Sequence, residues 1–215
     1  MLTADNIHKS YNGLNVLKGI NLSINREEVV SIVGTSGAGK STLLHILGTL
    51  DIPDQGKVLF NKTEVSSLNP KRMAQFRNEE IGFIFQFHNL FPEFTAVENV
   101  CIPAFIKGDR NAESRAKELL KILGLSDREN HKPSELSGGE QQRVSVARAL
   151  INEPSIVFAD EPSGNLDSQS ADDLHQLFFD LRNKMGQTFV IVTHNMELAG
   201  MADRKLEIKD GIITA

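Results

Sequence analysis

Gly34-Thr35-Ser36-Gly37-Ala38-Gly39-Lys40-Ser41 decides how the rest of this chain is read. The run fits G-x-x-x-x-G-K-[ST] at each fixed position. It follows a short apolar run, residues 29–33, and opens onto residues 41–50, where Leu43, Leu44 and Leu47 share one helical face. A strand, a glycine-rich turn and a helix, in that order, is the context in which this pattern binds phosphate. Glycines let the backbone curl so that successive N–H groups point at phosphate oxygens. The helix that follows adds its positive N-terminus. Lys40 is then placed for the β- and γ-phosphates and the Ser41 hydroxyl for a Mg²⁺ ion. The expected nucleotide contacts run over Gly34, Thr35, Ser36, Gly37, Ala38, Gly39, Lys40, Ser41 and Thr42. An ordinary glycine-rich connector needs neither the lysine nor the helix. By itself the run says nucleoside triphosphate and little more.

Outward from this turn, the chain alternates. Residues 2–11 and the polar–apolar alternation of Ile20, Leu22 and Ile24 read as strands, as does Ile81-Gly82-Phe83-Ile84-Phe85. Strand signals then nearly vanish from about residue 87 to 153. Residues 111–124, stopped by Gly124, and residues 140–151 read as helices, with a Pro133-bearing loop between them. Strand and helix resume at residues 156–159, 168–185 and 188–192, and Asp210-Gly211 centres a terminal hairpin. The pattern predicts a mainly parallel sheet covered on both faces, interrupted by a helical insertion.

Length and composition narrow the class. The 215 residues suit one domain with an insertion and suffice for a real core. Lys+Arg at 23 against Asp+Glu at 28 gives a net charge of −5, with no basic run, which argues against a nucleic-acid partner. The lone Cys101 excludes an intrachain disulfide, fits a reducing compartment and reads as a small buried hydrophobe. Asp5 falls where a signal peptide needs a basic and then apolar stretch, and the apolar run 100–106 is too short to span a bilayer. Membrane contact is therefore expected only through a partner.

Two further constellations carry chemistry. Ile156-Val157-Phe158-Ala159 leads into the adjacent acids Asp160 and Glu161. Neighbouring residues on a strand point opposite ways, so one carboxylate can face Mg²⁺ and the other the attacking water. Asp160 is assigned to the metal and Glu161 to the general base. Phosphoryl transfer needs a positioned water and charge neutralisation more than covalent help. His194, just beyond a strand, is placed for the γ-phosphate or its water, and Gln86, at the end of another, for Mg²⁺ and the water. The second constellation is Leu136-Ser137-Gly138-Gly139-Glu140-Gln141-Gln142. Ser137 and Glu140 have capping-box spacing, and two glycines where helix propensity disfavours them permit close backbone approach. The chain thus holds two phosphate-binding helix starts, only one with a lysine, and one nucleotide per chain would leave the second free to complete a partner's site.

Taken together, these residues resemble the ATPase subunit of an ABC transporter over essentially the whole chain. Residues 34–41 match Walker A, Gln86 the Q-loop and residues 136–142 the signature. Residues 156–161 match Walker B with its catalytic glutamate, residues 163–167 the D-loop and His194 the switch histidine. The resemblance implies an α/β P-loop NTPase (RecA-like) cassette, with a mainly parallel core sheet, an N-terminal antiparallel β subdomain and a helical insertion. Residues 1–86 and 154–215 would form the nucleotide-binding core of a single domain, and residues 87–153 the helical subdomain. It further implies ATP and Mg²⁺, with Tyr11 stacked on the adenine. Two copies would pair head to tail. Ser137, Gly138, Gly139 and Glu140 of one would then meet the ATP of the other, and Asp167 would help join the sites. Integral membrane permease subunits would dock beside Gln86 and the helical insertion. Glu140 departs from the usual Gln and keeps the capping box.

Residues 86–100, Gln-Phe-His-Asn-Leu-Phe-Pro-Glu-Phe-Thr-Ala-Val-Glu-Asn-Val, are similar to lipoprotein-releasing (Lol-type) ATPases, Phe91 standing where Leu is usual. This implies ATP-driven release of lipoproteins at the cytoplasmic face of a bacterial inner membrane. The Glu-Pro-Ser-Gly-Asn-Leu-Asp run is similar to a wider group, which keeps a macrolide or peptide exporter and a cell-division complex as alternatives. Repair ATPases with coiled-coil insertions and tandem translation cassettes do not fit the length. A small P-loop kinase leaves residues 137–142 and His194 unexplained.

Overall fold

The computed structural model describes residues 1–214. The chain begins with β1 (Leu2–Tyr11) and β2 (Leu14–Ile24). β3 (Val29–Val33) is buried throughout and leads through the glycine-rich turn into α1 (Lys40–Leu47). A hairpin of β4 (Gln55–Phe60) and β5 (Thr63–Glu64) precedes α2 (Pro70–Glu80), which runs directly into β6 (Ile81–Phe85). Three α-helices follow with no strand between them: α3 (Ala96–Lys107), α4 (Ala112–Ile122) and α5 (Gly138–Leu150). Alternation resumes with β7 (Ile156–Asp160), α6 (Ser168–Met185), β8 (Thr188–Val192) and α7 (Met196–Met201). The hairpin of β9 (Arg204–Lys209) and β10 (Ile212–Ile213) ends the described chain, turning at Asp210 and Gly211, both left-handed.

The larger sheet has the order β10-β9-β3-β8-β7-β6, parallel except for β10. The smaller one, β2-β1-β4-β5, is antiparallel. Side-chain alternation divides the parallel strands between two cores. Val30, Ile32, Ile156, Phe158, Val190 and Val192 face α1 and the small sheet. Val29, Val157, Ala159, Phe189 and Ile191 face the helices α3 to α6. Burial on both faces explains why these strands read as unbroken apolar runs.

This topology decides where function can sit. β3, β8, β7 and β6 are parallel neighbours, so their C-terminal ends lie along one edge. Residues that follow those ends are Gly34, Thr193, Glu161 and Gln86. The crevice beyond the carboxyl ends of an open α/β sheet is where such folds bind ligands.

Several local expectations are corrected. α1 stops at Leu47 rather than near residue 50: Gly48 caps it and Thr49 turns left-handed at φ 61. α5 starts at Gly138, two residues before the expected start, because the capping box is anchored on Ser137. The β4–β5 hairpin, α2 and α3 have no counterpart in the periodicity reading. α2 buries only Met73, so it shows no apolar stripe. α3 buries Ala96, Val97, Asn99, Val100, Cys101 and Ala104 and carries an internal Pro103, which blurs its period. Cys101 is buried as expected, and burial pushes its thiol up to about 11.

Candidate active site

The phosphate-binding turn is shaped by close packing. Gly34 sits at φ 148, and a Cβ there would lie 2.2 Å from the Ile208 carbonyl oxygen. No other residue type fits that contact. α1 begins without a side-chain cap, Gly39 standing before it, so its first N–H groups open toward the loop. Lys40 is buried, and its Nζ donates to the carbonyls of Gly34 at 3.1 Å and Thr35 at 3.0 Å. A buried ammonium held against two carbonyls of the glycine-rich turn is placed to exchange them for phosphate oxygens.

Opposite the loop, Ser41 Oγ donates to Asp160 Oδ1 at 3.0 Å. A hydroxyl and a carboxylate brought together from α1 and β7 are hard oxygen donors of the kind Mg²⁺ takes when phosphates complete its shell. Among the described residues no cluster of three or more His, Cys, Asp or Glu forms a self-sufficient metal cage. His45, one turn along α1 from Ser41, comes within 3.7 Å of Asp160 Oδ2.

Asp160 and Glu161 diverge as expected, but strand alternation is not the cause. β7 ends at Asp160, and Glu161 adopts a left-handed backbone at φ 48. Its N–H donates to the Val192 carbonyl at 2.9 Å. A non-glycine residue held there costs on the order of 1–3 kcal/mol and persists where the surroundings over-determine it. The turn delivers the Glu161 carboxylate to His194, Oε1 to Nε2 at 2.6 Å. One cleft of ≈ 360 Å³ is lined by Ser41, His45, Gln86, Asp160 and Glu161. A second includes Glu161, Ser163, Thr193 and His194 in its wall. Glu161 is therefore on the partition between the metal side and the histidine side.

Gln86 is in the same cleft but also exchanges two bonds with Asn165. Its Nε2 donates to Asn165 Oδ1, and its carbonyl accepts from Asn165 Nδ2, both at 3.2 Å. Asp167 caps α6, accepting from the Ser170 N–H at 3.0 Å and the Ser170 hydroxyl at 2.7 Å. The Ser170 backbone bond holds the Asp167 carboxyl below its ordinary range.

Ser137 caps α5, and Glu140 returns the bond by accepting from the Ser137 N–H at 2.8 Å. Glu140 also accepts from Arg128 Nε at 2.9 Å, an ion pair that a Gln here would lack. The pair of glycines, Gly138 and Gly139, forms the first turn. α5 packs on the sheet face opposite to α1. The structure does not bring Ser137, Gly138, Gly139 and Glu140 to the turn of residues 34–41.

Tyr11 ends β1 with 44% of its surface exposed. Its hydroxyl donates to Asp51, and Lys9 Nζ donates to the other Asp51 oxygen at 3.0 Å. Lys9 Nζ stands 5.2 Å from the ring centroid. Burial, then the Asp51 bond, raises the Tyr11 hydroxyl above its usual value, and Thr42 lies close enough to act on it in the other direction. An exposed ring is thus fixed beside the start of α1. The sequence reading missed Asp51, Asn165 and His45. The i, i+4 spacing from Ser41 would have found His45. No local signal marks Asp51, which reaches Tyr11 across 40 residues.

Comparison with known proteins agrees with this geometry. Residues 17–164 match the family model described as ABC transporter. The chain belongs to the ABC transporter family, as an ATP-hydrolysing cassette. It is 63% identical to the lipoprotein-releasing system ATP-binding protein LolD of Cytophaga hutchinsonii, over 99% of this chain and 98% of that one. It is 60% identical to the protein of the same name from Bacteroides thetaiotaomicron, over 99% of each. A dimeric structure of MJ0796, a bacterial ABC transporter cassette, superposes with TM-score 0.90 at 41% identity, covering 100% of this chain and 97% of that one. A dimeric post-hydrolysis state of MJ0796 bound to ADP and Pi gives TM-score 0.88 at 38% identity, with the same coverage.

Proposed function

We propose that this chain is the ATPase subunit of a bacterial inner-membrane ABC complex that releases lipoproteins from that membrane toward the outer membrane. The observation that carries the chemistry is the junction of Ser41 with Asp160 and of Glu161 with His194 at one sheet edge. Lys40 and the amides of residues 34–42 bind the phosphates of ATP. Ser41, Asp160 and Gln86 would hold Mg²⁺, which would offset charge on the phosphate oxygens. Glu161 takes the proton of the attacking water, and His194 holds that carboxylate and the γ-phosphate side in line. Tyr11 stacks on the adenine with its hydroxyl tethered by Asp51.

The separation of Ser137, Gly138, Gly139 and Glu140 from their own chain's phosphate turn supports a head-to-tail homodimer in which they meet the partner's ATP. Asp167 helps join the two sites. The dimeric MJ0796 neighbour is consistent with that pairing. Residues 87–153 act as a helical subdomain. Phe87, Phe91, Phe105 and Ile106 are exposed, and Ile106 lines a groove with Pro103 and Arg148, which suits docking of a permease subunit. Among the described residues no helix is long and apolar enough to cross a membrane, so attachment to the cytoplasmic face runs through that partner. The full-length identity to proteins named for lipoprotein release supports the cargo.

Two measurements test the reading. Glu161→Gln is expected to bind ATP normally and lose turnover; near-normal hydrolysis excludes Glu161 as the base. The tagged chain, purified from detergent-solubilised native membranes, is expected to bring down permease subunits and bound lipoproteins by mass spectrometry. A division partner or a drug exporter in their place overturns the cargo and leaves the chemistry standing.

A further inference from the structure

Gln142 lies in the second turn of α5 and is 0% exposed. A primary amide in a protein interior is costly unless its atoms are paired. Its Nε2 donates to the Phe85 carbonyl at 3.2 Å and to the Pro162 carbonyl at 2.7 Å. Phe85 immediately precedes Gln86, and Pro162 immediately follows Glu161. One nitrogen therefore bridges the segment that carries the glutamine of the site and the segment that carries its base. Gln142 Oε1 has no partner among the described residues. Turning the amide over would face that oxygen toward two carbonyl oxygens, so the surroundings select the donor orientation.

The same helix grips the chain again a short way on. Arg148 donates to the carbonyls of His88 at 2.8 Å and Asn89 at 2.6 Å. Gln86 and Phe87 are bracketed between these two attachments to α5. Asn165, three residues beyond Pro162, ties the same two segments from the exposed side through its paired bonds to Gln86. We propose that Gln142 is a positioning residue that holds the segments of Gln86 and Glu161 in one register and ties that register to the orientation of α5. The proposal rests on the hydrolytic reading above. Gln142 touches neither nucleotide nor water in this account. It acts through the two carbonyls it holds.

The test is a double-mutant cycle on the full chain, read as kcat and KM for ATP together with thermal unfolding. Gln142→Met keeps the volume and removes the donor. It is expected to lower kcat about tenfold, as the loss of one net hydrogen bond in the transition state implies, with KM within about twofold. Asn165→Ala is expected to lower kcat less. The double variant is expected to fall short of the product of the two single effects, because both ties hold one arrangement. A kcat for Gln142→Met within about twofold of the wild type overturns the proposal. So does strict multiplicativity, or a lowered melting temperature with kcat unchanged below it. If Gln142→Met is not recovered folded, Gln142→Leu, which also removes the donor, is read in its place: reduced kcat at unchanged KM supports the proposal, and unchanged kcat overturns it. Glu161→Gln in parallel separates the two claims. Turnover retained in that variant sinks the hydrolytic reading, whereas turnover lost there but kept in Gln142→Met sinks the positioning role alone.

Discussion

Lys40, Glu161 and Glu140 show how much a single position can settle. Lys40 brings one positive charge to a ring of backbone donors, and hydrogen bonds to charged groups contribute more than neutral ones. Lys40→Ala is expected to weaken ATP binding by about 10- to 100-fold, measured by titration calorimetry; wild-type affinity would contradict the assigned cradle. Glu161 was legible as an acid at a strand end, but its left-handed backbone was not, since nothing in Asp-Glu-Pro announces φ 48. Glu140 carries a pH signature. The Ser137 N–H bond, then Arg128, holds its carboxyl below the ordinary 4.5. A depressed folded value means that the unfolded chain binds the proton more readily in acid. The stabilisation is therefore complete above about pH 4.5 and is lost as pH falls through the folded value. Glu140→Gln keeps a cap acceptor, loses the half-exposed Arg128 pair and should cost at most about 1 kcal/mol at neutral pH. Its melting temperature should fall less steeply in acid than the wild type's; parallel curves would remove Glu140 from the acid response.

At the scale of elements, two glycine-bearing helix starts with different cap geometry do different work. α1 opens on Gly39 with no side-chain cap, leaving its amides free for an anion. α5 opens on Ser137, whose hydroxyl accepts from the Glu140 N–H at 3.2 Å. Ser137→Ala should cost about 1 kcal/mol and lower the melting temperature by about 2–4 °C. Ser137→Arg should leave ATP binding by the monomer intact and block turnover, since it would crowd the surface proposed to meet a partner's phosphate. Normal turnover in that variant would argue against the shared site. α5 and α6, each capped and with an apolar stripe, and β3 and β7, each a short apolar run, were readable beforehand. α2 and α3 were not, although Asn69 caps one and the Thr95–Glu98 box the other, because α2 buries a single apolar residue and Pro103 interrupts the pattern of α3. The pairing of β4 with β1 joins residues far apart in the chain, which no local window contains.

For the whole molecule, the question is how incomplete sites become complete. α1, which follows the phosphate turn, packs on one face of the parallel sheet and α5 on the other. Glu161→Gln with ATP is therefore expected to shift the chain from monomer to dimer in light scattering, and Lys40→Ala added to it should abolish the shift. A Glu161→Gln chain that stays monomeric with ATP, alone and with its membrane partners, would remove the sandwich from the proposal. By itself the sequence determined the chemistry on offer: a phosphate turn, an acid pair, a glutamine, a histidine and a second capped anion site. Those depend on short-range rules, the φ freedom of glycine and the spacing of caps, which a local run of residues carries in full. Only the tertiary structure decided which of them meet. Parallel pairing of β3, β8, β7 and β6 sets Gly34, His194, Glu161 and Gln86 along one edge. Asn165 and Gln142, which hold the Gln86 and Glu161 segments, and Asp51, which holds Tyr11, come from distant segments. Their contacts exist only after burial has brought those segments together, so no local pattern records them.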